Sequence, residues 1–244
     1  RPVALDDLLG RNPISLDIDL ISSSLRNMNV LITGAGGSIG SELCRQVVQL
    51  NPASLILLEQ NEFNLYTIAQ EIDSMQCDIP LHARLGDVCD ETGVRLVFAE
   101  YEPDIVFHAA AYKHVPSLQG QLREAVRNNL MGTEVMARVS CESGCKQFVL
   151  ISTDKAVNPT SIMGATKRMA EILVQALNVD SEVAFITVRF GNVLGSAGSV
   201  VPLFKKQIEA GGPVTVTHPN VTRFFMTIAE ACQLIMQASA IGQG

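Results

Sequence analysis

The segment VLITGAGGSIGSELC, residues 30–44, decides how the rest of the chain reads. Val30 to Ile32 are an apolar run ending in Thr33; Gly34, Gly37 and Gly40 follow at three-residue steps, and helical spacing comes next. A strand that enters a glycine turn and then a helix opens a βαβ unit. The glycines permit the tight turn, close approach of a pyrophosphate to the backbone, and close helix–strand packing. The N–H groups and partial positive charge at the helix start favour phosphate. Candidate cofactor contacts here are Thr33, Gly34, Gly36, Gly37, Ser38, Ile39 and Gly40. A glycine triplet alone also fits an ordinary strand–turn–helix, so the later segments carry weight. SLILLEQ (54–60) ends near Glu59, placed to accept hydrogen bonds from a ribose 2′-hydroxyl and to repel a 2′-phosphate, which selects NAD over NADP. A solvated carboxylate at a strand end is the plainer reading of Glu59; its place after the glycine turn favours the ribose. Asp87 and Val88, in RLGDV (84–88), close a third strand where adenine contacts are expected. HAAA (108–111) closes a fourth with His108, Ala109 and Ala110, small residues predominating so that a cofactor can lie against the backbone.

Around this segment, short apolar runs alternate with amphipathic stretches. Strands are expected near 29–33, 54–59, 81–86, 104–109, 146–152 and 183–190, and helices near 38–50, 62–76, 91–101, 121–143 and 161–178. Strands apolar on both faces, such as LILL (55–58), belong in a parallel sheet covered on both sides. Repeated strand–helix alternation gives right-handed crossovers and a doubly wound parallel α/β sheet of the Rossmann kind. After residue 190 the texture turns to glycine-rich loops around short segments, which suggests a small C-terminal lobe. The expected division is a lead and linker over 1–28, an NAD-binding core over 29–190, and part of a substrate-binding lobe, interleaved with the core, over 191–244.

Composition narrows the function. The chain has 244 residues, 47% hydrophobic and 18% charged, enough for one large α/β domain with a small appendage. No apolar run approaches the roughly 20 residues that span a bilayer, and the polar N-terminus shows no signal peptide, so these residues are expected to be soluble. A net charge of −7 argues against nucleic acid as a main partner, while leaving room for an anionic small ligand. Cys141 and Cys145 lie a helical turn apart with no His or Cys partner nearby. The six cysteines therefore suggest reduced thiols in a cytosolic setting and no metal site.

The glycine pattern combines with HAAAYKHVP (108–116), the pair Asn128–Asn129, STDKAVNPTSIMGATKRMAE (152–171) and RFGNVLGSAGSVVPLF (189–204). Together they resemble extended short-chain dehydrogenases. More narrowly they are similar to the CapD-type polysaccharide-biosynthesis enzymes, nucleoside-diphosphate-sugar 4,6-dehydratases. Longer members of that family carry membrane helices and another domain before the catalytic part. RPVALDDLLGR (1–11) resembles the joining segment, and such enzymes continue past AIGQG (240–244), so the chain is expected to be a fragment. The resemblance implies a homo-oligomer whose catalytic part works on the cytoplasmic face of the inner membrane. It also implies oxidation of the sugar at C4 by NAD, removal of the C5 proton, loss of water across C5–C6 and return of the hydride to C6.

In that scheme Thr153, Asp154 and Lys155 form the reacting run at the end of the strand QFVLIST (147–153). Asp154 is the acid toward the C6 oxygen and Lys155 the base at C5. An ordinary lysine, near 10.4, is a poor base at neutral pH and would need burial or a cationic neighbour. Lys167 is the candidate neighbour, and by resemblance it also holds the nicotinamide ribose. Met163 stands where related enzymes carry the tyrosine of a Tyr-x-x-x-Lys pair. A thioether moves no proton, so Thr153 through a water, or Asp154, must take the C4 proton while Met163 shapes the sugar pocket. Lys113, His114, Asn192 and Arg223 are implied substrate contacts, although each also fits a solvated loop; Arg223 suits a diphosphate. His82 and His218 are assigned no role. Where the family has an acidic stretch after HVP, this chain has SLQGQL (117–122), a departure that bears on substrate choice.

The leading expectation is a UDP-sugar 4,6-dehydratase acting on UDP-N-acetylglucosamine. A UDP-sugar 4-epimerase is the near alternative, disfavoured because it needs no acid–base pair for elimination. A non-catalytic nucleotide-binding scaffold is the third reading.

Overall fold

The computed structural model describes residues 16–196, 200–216, 218, 220 and 222–244. Its frame is a parallel six-stranded sheet of β1 (Asn29–Thr33), β2 (Ser54–Glu59), β3 (Leu81–Leu85), β4 (Ile105–His108), β5 (Gln147–Thr153) and β6 (Ala184–Phe190). The order is β3-β2-β1-β4-β5-β6, the doubly wound arrangement, and each strand end lies within one residue of its expected place. Period-2 alternation then sorts the side chains. Val30 and Ile32 of β1 face one layer with Leu55, Leu57, Phe107 and Val149. Leu31 faces the other with Ile56, Val106 and Phe148. Both faces are covered, which is why these strands read as continuous apolar runs.

The first face is closed by α1 (Ile18–Leu25), α2 (Ser38–Val48), α3 (Glu62–Ser74) and α10 (Ile228–Ile241), through residues such as Leu25, Leu43, Ile68 and Ile235. The second is closed by α4 (Glu91–Tyr101), α7 (Gly132–Glu142) and α8 (Ile162–Val179), through Phe98, Met136 and Val174. Side-chain caps set several starts: Asn61 accepts from the Asn64 N–H at 3.0 Å, Ser161 from Gly164 at 3.1 Å and Thr227 from Glu230 at 3.1 Å.

One region differs from the sequence expectation. The helix expected over 121–143 is divided into α6 (Leu122–Val126), a π turn at Arg127–Met131, and α7, preceded by the short α5 (Val115–Leu118). The wider turn buries Asn128 and Asn129, at 3% and 0% exposure, inside the protein. Further on, α10 packs in the core layer against α1 and α2. Among the described elements after residue 190, those outside that cluster are β7 (Asn192–Val193), α9 (Val200–Glu209) and β8 (Phe225–Met226), with β7 and β8 paired in parallel. The expected lead over 1–28 contains α1; its LDDLLGRNPIS segment (5–15) falls outside the described residues. Among the described residues no helix is long and apolar enough to cross a membrane.

Candidate active site

Strand order reverses between β1 and β4, and a crevice opens at their carboxyl ends, as such topology requires. Gly34 has φ +61°, and a Cβ there would lie 2.8 Å from the Cα and N of Ala110. A Cβ on Gly40 would lie 2.1 Å from the Gly34 carbonyl oxygen. The triplet thus packs on itself and on the exit of β4. Gly37 starts α2 without a side-chain cap, and the first turn carries no acid, an arrangement suited to an anion.

A pocket of 160 Å³ lies beside this turn, between Gly34, Glu59, Gln60, Gly86, Val88 and Ala110. Glu59 is nearly buried, accepting from the Gly36 N–H at 3.0 Å and the Asn61 N–H at 2.9 Å. Each carboxylate oxygen keeps a lone pair for a ribose hydroxyl. Asp87 does not line the pocket. Although burial works against its charge, hydrogen bonds from the Cys89 N–H (2.9 Å) and Arg127 (2.7 Å) hold it below the ordinary carboxylate range.

Thr33 and His108, candidates for cofactor contact, are fully buried, and neither side chain reaches the crevice. Their atoms form a closed chain. The Thr133 hydroxyl donates to the Asn129 carbonyl (2.8 Å), so its oxygen accepts from His108 Nε2 (3.1 Å). That leaves His108 Nδ1 to accept from the Thr33 hydroxyl (2.9 Å), which in turn accepts from the Ala110 N–H (3.2 Å). Burial, and then the charge of Lys167, lower His108 to about 3, so it stays neutral. The pair braces β1 against the π turn; its contribution to the crevice is through the backbone.

A larger cleft of 670 Å³ continues from the glycine turn across the end of β5. Thr153, Lys155, Met163 and Lys167 line it, with Ser38, Ile39, Lys113, His114, Asn192 and Arg223 also on its walls. Asp154 is exposed and does not line it; its Oδ1 accepts from the Thr153 hydroxyl and from Lys155 Nζ, each at 3.0 Å. Lys155 Nζ also donates to Asn192 Oδ1 at 3.1 Å. Lys155 Nζ thus meets a carboxylate and an amide. Lys167 is 4% exposed, and its Nζ has no hydrogen-bond partner among the described residues. Burial lowers it to about 8, with the charge of Glu171 pulling the other way. Met163, 4% exposed, packs with Leu118 and Ala125. The thioether and the altered 117–122 segment thus meet in one apolar cluster. Arg223 is exposed and donates to the Thr222 carbonyl at 2.7 Å.

Sequence reading left several residues here without a role. Asn129 accepts from the Tyr112 N–H (2.8 Å) and donates to the Tyr112 carbonyl (3.0 Å) and Thr166 Oγ1 (3.2 Å), joining the cleft loop to the helix of Lys167. Arg127 orients Asp87. Glu171, wholly buried, accepts from Ser152, Arg168 and Arg189; burial works to raise it, but these bonds outweigh that and hold it at about 2. The signal for Glu171 was in the helical spacing, since it lies one turn after Lys167. For Asn129 no local pattern announces a π turn.

The family described as "Polysaccharide biosynthesis protein" matches residues 30–244. The capsular polysaccharide biosynthesis protein CapD of Staphylococcus aureus is 53% identical, over 100% of this chain and 41% of its own length. The relatives at 33% identity include two with different named activities. One is a UDP-N-acetylglucosamine 4,6-dehydratase (inverting) of Campylobacter jejuni subsp. jejuni, aligned over 85% of this chain and 62% of its own. The other is a UDP-glucose 4-epimerase of Rickettsia bellii, aligned over 87% and 63%. Among solved structures, Pen from Bacillus thuringiensis superimposes with a TM-score of 0.84 at 34% identity, over 90% of this chain and 69% of that one. The chain thus spans about two fifths of the length of CapD.

Proposed function

The chain belongs to the polysaccharide biosynthesis protein family, and on that premise we propose that it is the catalytic domain of an NAD-dependent UDP-sugar 4,6-dehydratase, with UDP-N-acetylglucosamine as substrate. One observation carries the reading: Thr153, Asp154, Lys155 and Asn192 form a continuous hydrogen-bonded run at the cleft, on the strand end beside Lys167.

The residues present fit NAD. The glycine turn leaves no room for a Cβ at Gly40, Glu59 stands at the lip of the smaller pocket, and Lys167 Nζ is a buried donor without a partner among the described residues. The start of α2 would hold the pyrophosphate of NAD and Lys167 its nicotinamide ribose, and the bound group would supply the hydride acceptor and donor for C4 and C6. The protein's own residues move the protons. Thr153 reaches the cleft and already donates to Asp154, so it can accept the C4 hydroxyl proton while passing its own to the carboxylate. Asp154, now protonated, gives that proton to the C6 oxygen, which leaves as water. Lys155 is the base that removes the C5 proton and later returns a proton to C5. Each group ends as it began, and the sugar has lost one water. Met163 has no part in this route; it walls the pocket with Leu118.

The test is mass spectrometry of UDP-N-acetylglucosamine incubated with the protein and NAD in heavy water. Loss of one water with one deuterium gained is the expected result, and Asp154→Asn should abolish the loss of water. The Rickettsia match keeps a 4-epimerase in view. An epimerase would return an isomer of unchanged mass with no deuterium at C5, and that outcome would replace the present reading.

A further inference from the structure

Glu171 does not touch the cleft, yet three elements converge on it. It projects from α8, one turn after Lys167, and is wholly buried. Ser152 Oγ, on β5, donates to Oε1 at 2.6 Å. Arg189, on β6, grips both oxygens, Nε to Oε1 at 2.7 Å and Nη2 to Oε2 at 2.5 Å. Arg168 adds a bond to Oε2 at 3.0 Å. Ser152 and Arg189 are register partners on adjacent strands, so one carboxylate clamps two neighbouring strand ends to one helix.

The residues just beyond each gripped side chain give the junction its meaning. Ser152 immediately precedes Thr153–Asp154–Lys155, and Asn192 lies three residues after Arg189. Lys155 and Asn192 meet at 3.1 Å. Both ends of that hydrogen bond therefore hang from side chains that Glu171 holds, and the helix supplying the clamp is the one carrying Lys167. A forked Arg–carboxylate pair fixes direction as well as distance, which a point contact does not.

We propose that Glu171 is a positioning residue, whose buried junction with Ser152 and Arg189 sets the Thr153–Lys155 run and Asn192 in register with Lys167. The proposal rests on reading that run as the reacting one. If an ion pair were all the fold required here, Arg168 on the same helix would satisfy the carboxylate; the bonds to β5 and β6 are what tie the strand ends together.

The deciding measurement is structural, and so is independent of which reaction the protein catalyses. Crystal structures of the protein and of its Glu171→Gln, Ser152→Ala and Arg189→Lys variants should show the fold retained. In the variants the Lys155–Asn192 hydrogen bond should be broken or displaced, most in Glu171→Gln. Should Glu171→Gln fail to fold, the two milder variants carry the test. An unmoved Lys155–Asn192 contact in every folded variant would overturn the proposal. In turnover, well below the melting temperature, the variants should lose at least tenfold in kcat with KM within about twofold. Variants that lose only thermal stability, at full kcat, would assign the junction to the fold alone. If the unmodified protein fails to dehydrate UDP-N-acetylglucosamine, the functional reading falls while the crystallographic comparison still decides the role of Glu171.

Discussion

Lys167 shows in one side chain how this site works against its own fold. Its amine is lowered to about 8 from an ordinary 10.5, because folding buries it. Below pH 8 the folded protein must bury a charge, so Lys167 opposes folding there. As pH rises from about 8 to 10.5 the unfolded chain gives up its proton as well, and the opposition fades. The gap corresponds to about 3 kcal/mol at neutral pH, an upper bound because water relaxes around a buried ammonium. Lys167→Met keeps the length and removes the charge. It should therefore raise the stability of the cofactor-free protein by about 1–3 kcal/mol at pH 7. Calorimetric scans of both proteins across pH test this: the difference should shrink between pH 8 and 10.5, and a constant difference would show that the buried charge is not its cause. The same variant should bind NAD at least tenfold more weakly by titration calorimetry, since it removes the donor proposed for the nicotinamide ribose.

At the scale of elements, the strand–turn–helix opening can be tested by adding one methyl group. Gly40→Ala would place Cβ 2.1 Å from a carbonyl oxygen and 2.9 Å from the Ala35 Cα, backbone atoms that cannot step aside. The variant should lose about 1–3 kcal/mol by urea denaturation, and NAD binding should fall by at least tenfold as the turn opens. Gly120→Ala is the control. Nothing lies within 4 Å of a Cβ there, and the residue does not adopt positive φ, so a change within about 1 kcal/mol in the stabilising direction is expected. Equal losses in both would mean that the crowding at Gly40 is relieved at no cost. This element was legible in the sequence because steric need leaves glycine no substitute, just as two-sided burial keeps the middle of the central strands apolar, as in Val30–Ile32 and Phe148–Ile151. The π turn was not legible. It depends on Asn129 reaching Tyr112 and Thr166, which are 17 and 37 residues away in sequence. The direction of the His108 side chain was not legible for a related reason: a residue closing a strand can point toward the crevice or into the layer beside it, and only the partners Thr33 and Thr133 decide which.

At the scale of the molecule, α10 closes the core from the far end of the chain. It buries Cys232, Ile235 and Met236 against Ile21, Leu25 and Val47, covering the face of the sheet that α1 and α2 leave open. Polar contacts fix its place: Gln147 donates to the Ser239 carbonyl at 3.0 Å, and the Cys232 thiol lies 3.5 Å from the carbonyl oxygen of Ile39, in the first turn of α2. The support beneath the glycine turn therefore comes from a helix nearly 200 residues later, at a sequence separation of 193. Burial of Ile235 and Met236 contributes about 1.5–3 kcal/mol each, with the smaller Cys232 adding less, and a domain of this kind has about 5–15 kcal/mol in all. Removing 228–244 should thus consume most or all of the folding free energy and leave a chain with no cooperative urea transition. Ile235→Ala is the graded form of the same test. It should cost about 2–5 kcal/mol while the folded fraction binds NAD with unchanged affinity, because Ile235 lies beneath the layer and not at the turn. A truncated chain that still unfolds cooperatively would place the boundary of the folding unit before α10, and α10 would then belong with the lobe instead of the core.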